Sequence, residues 1–238
     1  MVKLMGILNL TPDSFIESSR AVPADVPARI RTMQDAGASI IDLGAVSTRP
    51  GASPVGLEEE WLRLEPALRA VAAMPSRPQI SIDTTRAEIV RRAFSVLGEF
   101  IVNDISSGED DPEMLGVAGS LGLPYVAMHK RGTPSTMDGL CEYPEGIIPS
   151  LTSYFKDFER RASAAGVSDW ILDPGLGFAK TPEQCWEILY GLEALTALGH
   201  PVLIGASDKR FTGGNTALAH AVAILHGASI LRLHMRSL

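Results

Sequence analysis

Apolar residues in this chain gather in short runs, each followed by a polar or Gly-rich stretch and then by a longer segment with helical spacing. The runs at 4–10, 40–44, 79–83, 100–104, 124–129, 170–173, 201–205 and 230–234 are nearly continuous in aliphatic and β-branched residues. Parallel strands buried on both faces read this way. Helical periodicity covers 24–36, 57–74, 86–97, 112–121, 146–165, 182–198 and 215–226. Gly37, Gly98, Gly122, Gly166, Gly199 and Gly227 follow these segments, where a helix end takes up the left-handed conformation. Thr181 precedes Pro182 as an N-cap. Regular strand–helix alternation predicts a parallel sheet with right-handed crossovers, and eight repeats favour a closed (β/α)₈ TIM barrel over an open sheet. The expectation is a single domain over 1–238. The chain stops four residues after His234, so the barrel is expected to lack its eighth helix. Apolar surface from Ile230, Leu231 and the 221–225 helix should then lie bare.

Composition narrows the classes. With 238 residues the chain can bury a core without disulfides, and Cys141 and Cys185 form no C-x-x-C pair; a reducing cytoplasm is expected. Lys and Arg number 21 against 28 Asp and Glu, a net charge of −7, which argues against nucleic acid as a partner. No apolar run reaches the roughly 18 residues of a membrane span. Asn9 and Thr11 interrupt the first run too early for a signal peptide.

Polar residues stand at the ends of the strands or just after them: Asn9, Asp42, Asp83, Asn103, Asp104, His129, Asp173, Ser207, Lys209, Arg232 and His234. A barrel points all these ends at one mouth, so they are expected to converge on one site. Asp83, Asn103 and Asp173 offer acceptors that suit two adjacent N–H donors, as on an aminopyrimidinone edge. Arg49, Lys209, Arg232 and His234 offer cationic donors for a phosphate or carboxylate. A heterocycle joined to an anionic leaving group would use both sets, although ordinary ion pairing has the same spacing. Other motifs fail. The stretch from Gly175 to Thr181 lacks the first glycine of a P-loop and has Ala179 before Lys180. His220 and His226 are six apart, on different helix faces, and do not pair as zinc ligands.

The motifs themselves resemble a family. Residues 5–15 (MGILNLTPDSF), 42–51 (DLGAVSTRPG), 81–84 (SIDT), 102–105 (VNDI), 173–178 (DPGLGF) and 232–234 (RLH) are similar, in order, to the signatures of the dihydropteroate synthases, which are pterin-binding barrels. That resemblance implies a condensation of 6-hydroxymethyl-7,8-dihydropterin diphosphate with p-aminobenzoate, giving 7,8-dihydropteroate and pyrophosphate. It implies that Asp83, Asn103, Asp173 and Lys209 hold the pterin, with Met128 on the wall. Asn9 would ligate Mg²⁺ on the diphosphate, and Arg232 and His234 would receive the diphosphate. Thr48, Arg49 and Pro50 would belong to a second loop, and Phe15 and Phe178 would flank p-aminobenzoate. Arg49, Lys209, Arg232 and His234 are the implied catalytic set, and a homodimer is the implied assembly.

The chain departs from the family pattern in three places. Residues 15–19 read FIESS where Phe-Ser-Asp-Gly-Gly is usual, leaving Glu17 as the acid. Ser207-Asp208-Lys209 replaces Ser-Arg-Lys, and the 211–215 stretch is shortened. Met235 replaces an Asp, ahead of the absent helix. Two other readings follow: a degenerate pterin-binding homologue with little coupling activity, and a methyltetrahydrofolate methyltransferase, whose donor has no diphosphate for the Arg-x-His pair to hold.

Overall fold

The computed structural model describes residues 1–10, 25–46, 55–133 and 136–235. Eight strands are present: β1 Lys3–Asn9, β2 Ala38–Gly44, β3 Gln79–Asp83, β4 Ile101–Asp104, β5 Tyr125–Met128, β6 Trp170–Asp173, β7 Leu203–Ile204 and β8 Ile230–Leu233. All pair in parallel, in the order β6-β5-β4-β3-β2-β1-β8-β7. One parallel bridge, Leu172 to Val202, joins the two ends and closes the barrel. Around it lie α1 Val26–Asp35, α2 Leu57–Ala72, α3 Ala87–Leu97, α4 Met114–Ser120, α5 Ile147–Ala164, α6 Pro182–Tyr190, α7 Glu193–Thr196 and α8 Thr216–Leu225.

The helix expected over 182–198 is two pieces. Its start is as predicted: the Thr181 hydroxyl accepts from the Gln184 N–H, and the Gln184 side chain accepts from the Thr181 N–H, a complete capping box. Gly191 then ends α6, and α7 is a single turn. After β8, residues 234 and 235 carry no helix. The bare strand expected there is not found. Ile230 and Leu231 are both buried, because neighbouring side chains of a strand face opposite ways. Ile230 enters the barrel interior, and Leu231 enters the layer between sheet and helices. The helical part of that expectation does hold: Ile224 and Leu225 of α8 are exposed, as is Leu218 on the same helix. Among the described residues no helix is long and apolar enough to cross a membrane.

The period of two sorts the core into two bodies. Met5, Ile40, Ile101, Val126, Ile171, Leu203 and Ile230 fill the barrel interior. The intervening residues, such as Ile41, Leu43, Ile82, Val102 and Leu172, pack outward under the helices. The inward position on β3 is Ser81, whose buried hydroxyl has no partner. Two residues further along each strand the interior changes character. There stand Ile7, Asp42, Asp83, Asn103, Met128, Asp173, Gly205 and Arg232. An apolar plug therefore supports a predominantly polar layer at the C-terminal mouth.

Candidate active site

The polar layer floors a cavity of about 990 Å³. Asp83, Asn103, Met128, Asp173, Phe178, Lys209, Arg232 and His234 all line it. Eight side chains expected at the site, from six strands and the loops after them, therefore meet in one space. Thr48, Arg49, Pro50, Phe15 and Glu17 lie outside the described residues. Asp104 and His129 do not join the site. Both carry the outward parity of their strands, and Asp104 is consumed by the Tyr125 hydroxyl, the Ser106 hydroxyl and the Ser106 and Gly108 N–H groups.

At the centre is Arg232. Its Nε donates to Asp42 Oδ2 at 2.7 Å and its Nη2 to Asp83 Oδ2 at 2.8 Å. Asp42 is fully buried and also accepts both contacts from the Asn103 amide, at 3.1 and 3.2 Å. Asp42 thus fixes the guanidinium and the amide together. The sequence placed it at a strand end without a role, and its inward parity is the signal that could have assigned one. One cation serves two carboxylates here, so one is left without full compensation. Burial, opposed by Arg232 and reinforced by Asp42, pushes the Asp83 carboxyl up to about 7. For Arg232, burial works against the charge, and Asp42 and Asp83 more than offset it, raising its affinity for the proton.

The β6–α6 loop builds the opposite wall. Asp173 accepts from the Gly175 N–H at 2.8 Å, and burial raises its pKa against the pull of Lys209. Gly175 is obligatory: φ is +68°, and a Cβ would lie 2.1 Å from the His129 carbonyl oxygen. Lys209 donates to the Leu176 carbonyl and sits 5.1 Å from the centroid of the Phe178 ring. Burial, opposed by Asp173, lowers Lys209 to about 8. A cation beside a buried acid, facing an aromatic wall, suits a polar heterocycle next to a flat aromatic partner.

Past Lys209 the chain makes a 3₁₀ turn, Arg210–Thr212, and Phe211 packs edge-on against Trp186 at 5.8 Å. Asp208 and Arg210 line the cavity, but Asn215 and Thr216 at the start of α8 do not. Asp208 has φ +59°. Asn9 stands beside the lining residues. A Cβ at Gly44 would lie 3.8 Å from both Asn9 Oδ1 and Asp83 Oδ2, and since Asp83 Oδ2 accepts from Arg232, the Asn9 amide oxygen is the ligand atom offered there. Hard cations take such oxygens, and Mg²⁺ in particular uses one or two protein donors with substrate phosphates completing its shell.

Residues 5–234 match the family described as pterin binding enzymes. The chain belongs to the pterin-binding enzymes. Among relatives of this pterin-binding enzyme, a dihydropteroate synthase from Synechocystis is 41% identical over 97% of the chain and 84% of its own length. The crystal structure of Thermus thermophilus dihydropteroate synthase in complex with 4-aminobenzoate is 37% identical, with a TM-score of 0.82 over 98% of this chain and 88% of that one. The same enzyme in complex with 6HMPPP superposes with a TM-score of 0.81 at 33% identity, again over 98% and 88% of the two chains. The inward residues at the C-terminal ends of β3, β4, β5, β6 and β8 (Asp83, Asn103, Met128, Asp173 and Arg232) line this cavity.

Proposed function

We infer that this pterin-binding enzyme is a dihydropteroate synthase: it joins the methylene carbon of 6-hydroxymethyl-7,8-dihydropterin diphosphate to the amine of p-aminobenzoate. The observation that carries this reading is a single cavity in which acceptors (Asp83, Asn103, Asp173) face cations (Lys209, Arg232, His234). The Thermus relative, solved with both kinds of ligand, supports it. Asp173 and Asn103 receive the N–H edge of the pterin. Arg232 and His234 hold the diphosphate as the C–O bond breaks, which places positive charge where negative charge grows. Phe178 and Lys209 flank the aromatic acceptor, whose neutral amine forms the new C–N bond and then gives up a proton to water. No strong base is required, because holding the amine close supplies most of the advantage. Asn9 would hold Mg²⁺, whose charge would neutralise the departing diphosphate. The two free thiols fit a cytoplasmic enzyme. Homodimerisation is proposed through α8, where Leu218, Ala221 and Leu225 form an exposed stripe.

The test is product analysis with purified protein and both substrates. Dihydropteroate and pyrophosphate should appear in equal amounts, only with acceptor present, and both should fall when Mg²⁺ is chelated. Pyrophosphate without dihydropteroate would favour the degenerate homologue. Asp173→Ala should weaken pterin diphosphate by about 2–5 kcal/mol, since N–H donors shielded from water lose their acceptor; calorimetry showing unchanged affinity would remove Asp173 from the pterin site.

A further inference from the structure

Deep in the lining of the same cavity, next to Phe178, lies a buried lysine that the mechanism above does not use. Lys180 is 7% exposed. Its nitrogen lies 2.9 Å from His129 Nδ1 and donates to the His129 carbonyl at 3.3 Å and to the Phe178 carbonyl at 2.9 Å. An ammonium has three donors, and all three are matched. Burial lowers Lys180 to about 7; in its charged form it makes Nδ1 the acceptor and puts the His129 proton on Nε2. The imidazole stays neutral: burial, aided by Lys180 and Arg131, lowers it to about 3. Tyr154 meets the ring edge-on at 4.8 Å, and Tyr143 lies at 6.1 Å.

The segment that Lys180 grips is strained. Gly175, Gly177 and Ala179 all have positive φ, and Ala179, at +52°, carries a side chain that disfavours it. Such backbone persists only where its surroundings over-determine it. Here the carbonyls of residues 176, 178 and 179 are bound in turn by Lys209, Lys180 and the Tyr143 hydroxyl. Lys209 and Lys180 both line the cavity, whereas Tyr143 holds the loop from outside the lining.

We propose that Lys180 is a positioning residue: by tying the end of β5 at His129 to the Phe178 carbonyl, it sets the Phe178 ring at the distance from Lys209 that admits the acceptor. This rests on Phe178 being a wall of the acceptor site. It acts through the loop and touches no reacting atom.

Three variants separate the hydrogen bond from general packing. Lys180→Met removes the strut, whereas His129→Phe removes only its Nδ1 contact and leaves those to the carbonyls of residues 129 and 178. His129→Asn places an amide oxygen near the position of Nδ1 and keeps it. In steady-state assays, Lys180→Met should raise KM for p-aminobenzoate about tenfold or more, and His129→Phe should raise it about threefold or more. The kcat at saturating acceptor and calorimetric affinity for the pterin diphosphate should each stay within about threefold. His129→Asn should stay within about twofold of the parent on every measure. Independently of turnover, nitrogen-15 NMR at pH 6, where Lys180 is charged, should show an exchange-protected lysine ammonium in the parent and His129→Asn but not in His129→Phe. The proposal falls if His129→Asn is as impaired as His129→Phe, if Lys180→Met leaves KM unchanged, or if the protected signal is missing from the parent. A parent that shows the signal but makes no dihydropteroate would instead overturn the proposed function.

Discussion

Asp42, Asp83 and Arg232 show how far one residue's chemistry depends on its neighbours. Each is legible in the sequence as a charge at a strand end. Their joint state is not, because it comes from one guanidinium shared between carboxylates 41 residues apart in the chain. An Asp83 carboxyl at about 7 is protonated below that pH and accepts N–H donors poorly there. Binding of the pterin diphosphate should therefore tighten as pH rises through about 7. In Asp42→Asn, Arg232 serves Asp83 alone and the carboxylate is favoured, so the acid limb should move to lower pH. An unmoved limb in a pH series of affinities would show that Asp83 does not govern it. For stability the sign is opposite: the folded value lies above the unfolded 3.8, so this group's contribution declines as pH rises from about 4 through 7.

Two loops carry most of the element-scale specificity. Gly175 was visible as a glycine in a family motif, but its necessity is tertiary: the His129 carbonyl on the adjacent loop occupies the space a methyl would need. Gly175→Ala should destabilise the protein by at least about 2 kcal/mol, combining a left-handed penalty with overlap. Denaturant unfolding within 0.5 kcal/mol of the parent, on the order of surface-substitution noise, would refute the close approach. After β7, Asp208 brings a negative charge to the cavity where the resemblance leads one to expect Arg. Its φ of +59° changes how this should be tested, since Asn and Asp tolerate that region better than Arg does. Asp208→Asn removes the charge without straining the turn. It should lower KM for p-aminobenzoate about two- to fivefold, the scale of one partly exposed charge contact. Initial-rate measurements showing a higher KM would mean that Asp208 assists the acceptor. Arg210 lines the same cavity. The start of α8 lies outside the lining.

At the scale of the molecule, α8 presents apolar side chains that the barrel leaves uncovered. Leu225 is 81% exposed and Leu218 47%, one above the other at helical spacing. Sedimentation velocity should find a dimer at micromolar concentration, and Leu218→Glu with Leu225→Glu should shift it to monomer. A parent that sediments as a monomer throughout that range would exclude α8 as an interface. The interior follows a different rule: seven apolar residues from seven strands form the plug, and the next inward residues form the site. That division follows from a two-residue period closed into a cylinder, so one pattern of alternation builds both the support and the chemistry.

The amino-acid sequence by itself determined the order of strands and helices, the polar strand ends and the family, because hydrophobic period, capping residues and short motifs are local properties. It also separated the acceptor and cation sets by chemical type. It did not determine which strand-end groups face the mouth. Asp104 and His129 have suitable chemistry, yet strand parity turns them outward, and only the closed barrel shows where each goes. Nor did it distinguish Lys180 from a failed phosphate-loop lysine. Its partners, His129 and the carbonyl of Phe178, meet only when the β5 and β6 ends are brought side by side, since hydrogen bonds between distant segments depend on ångström-scale position that no local pattern encodes.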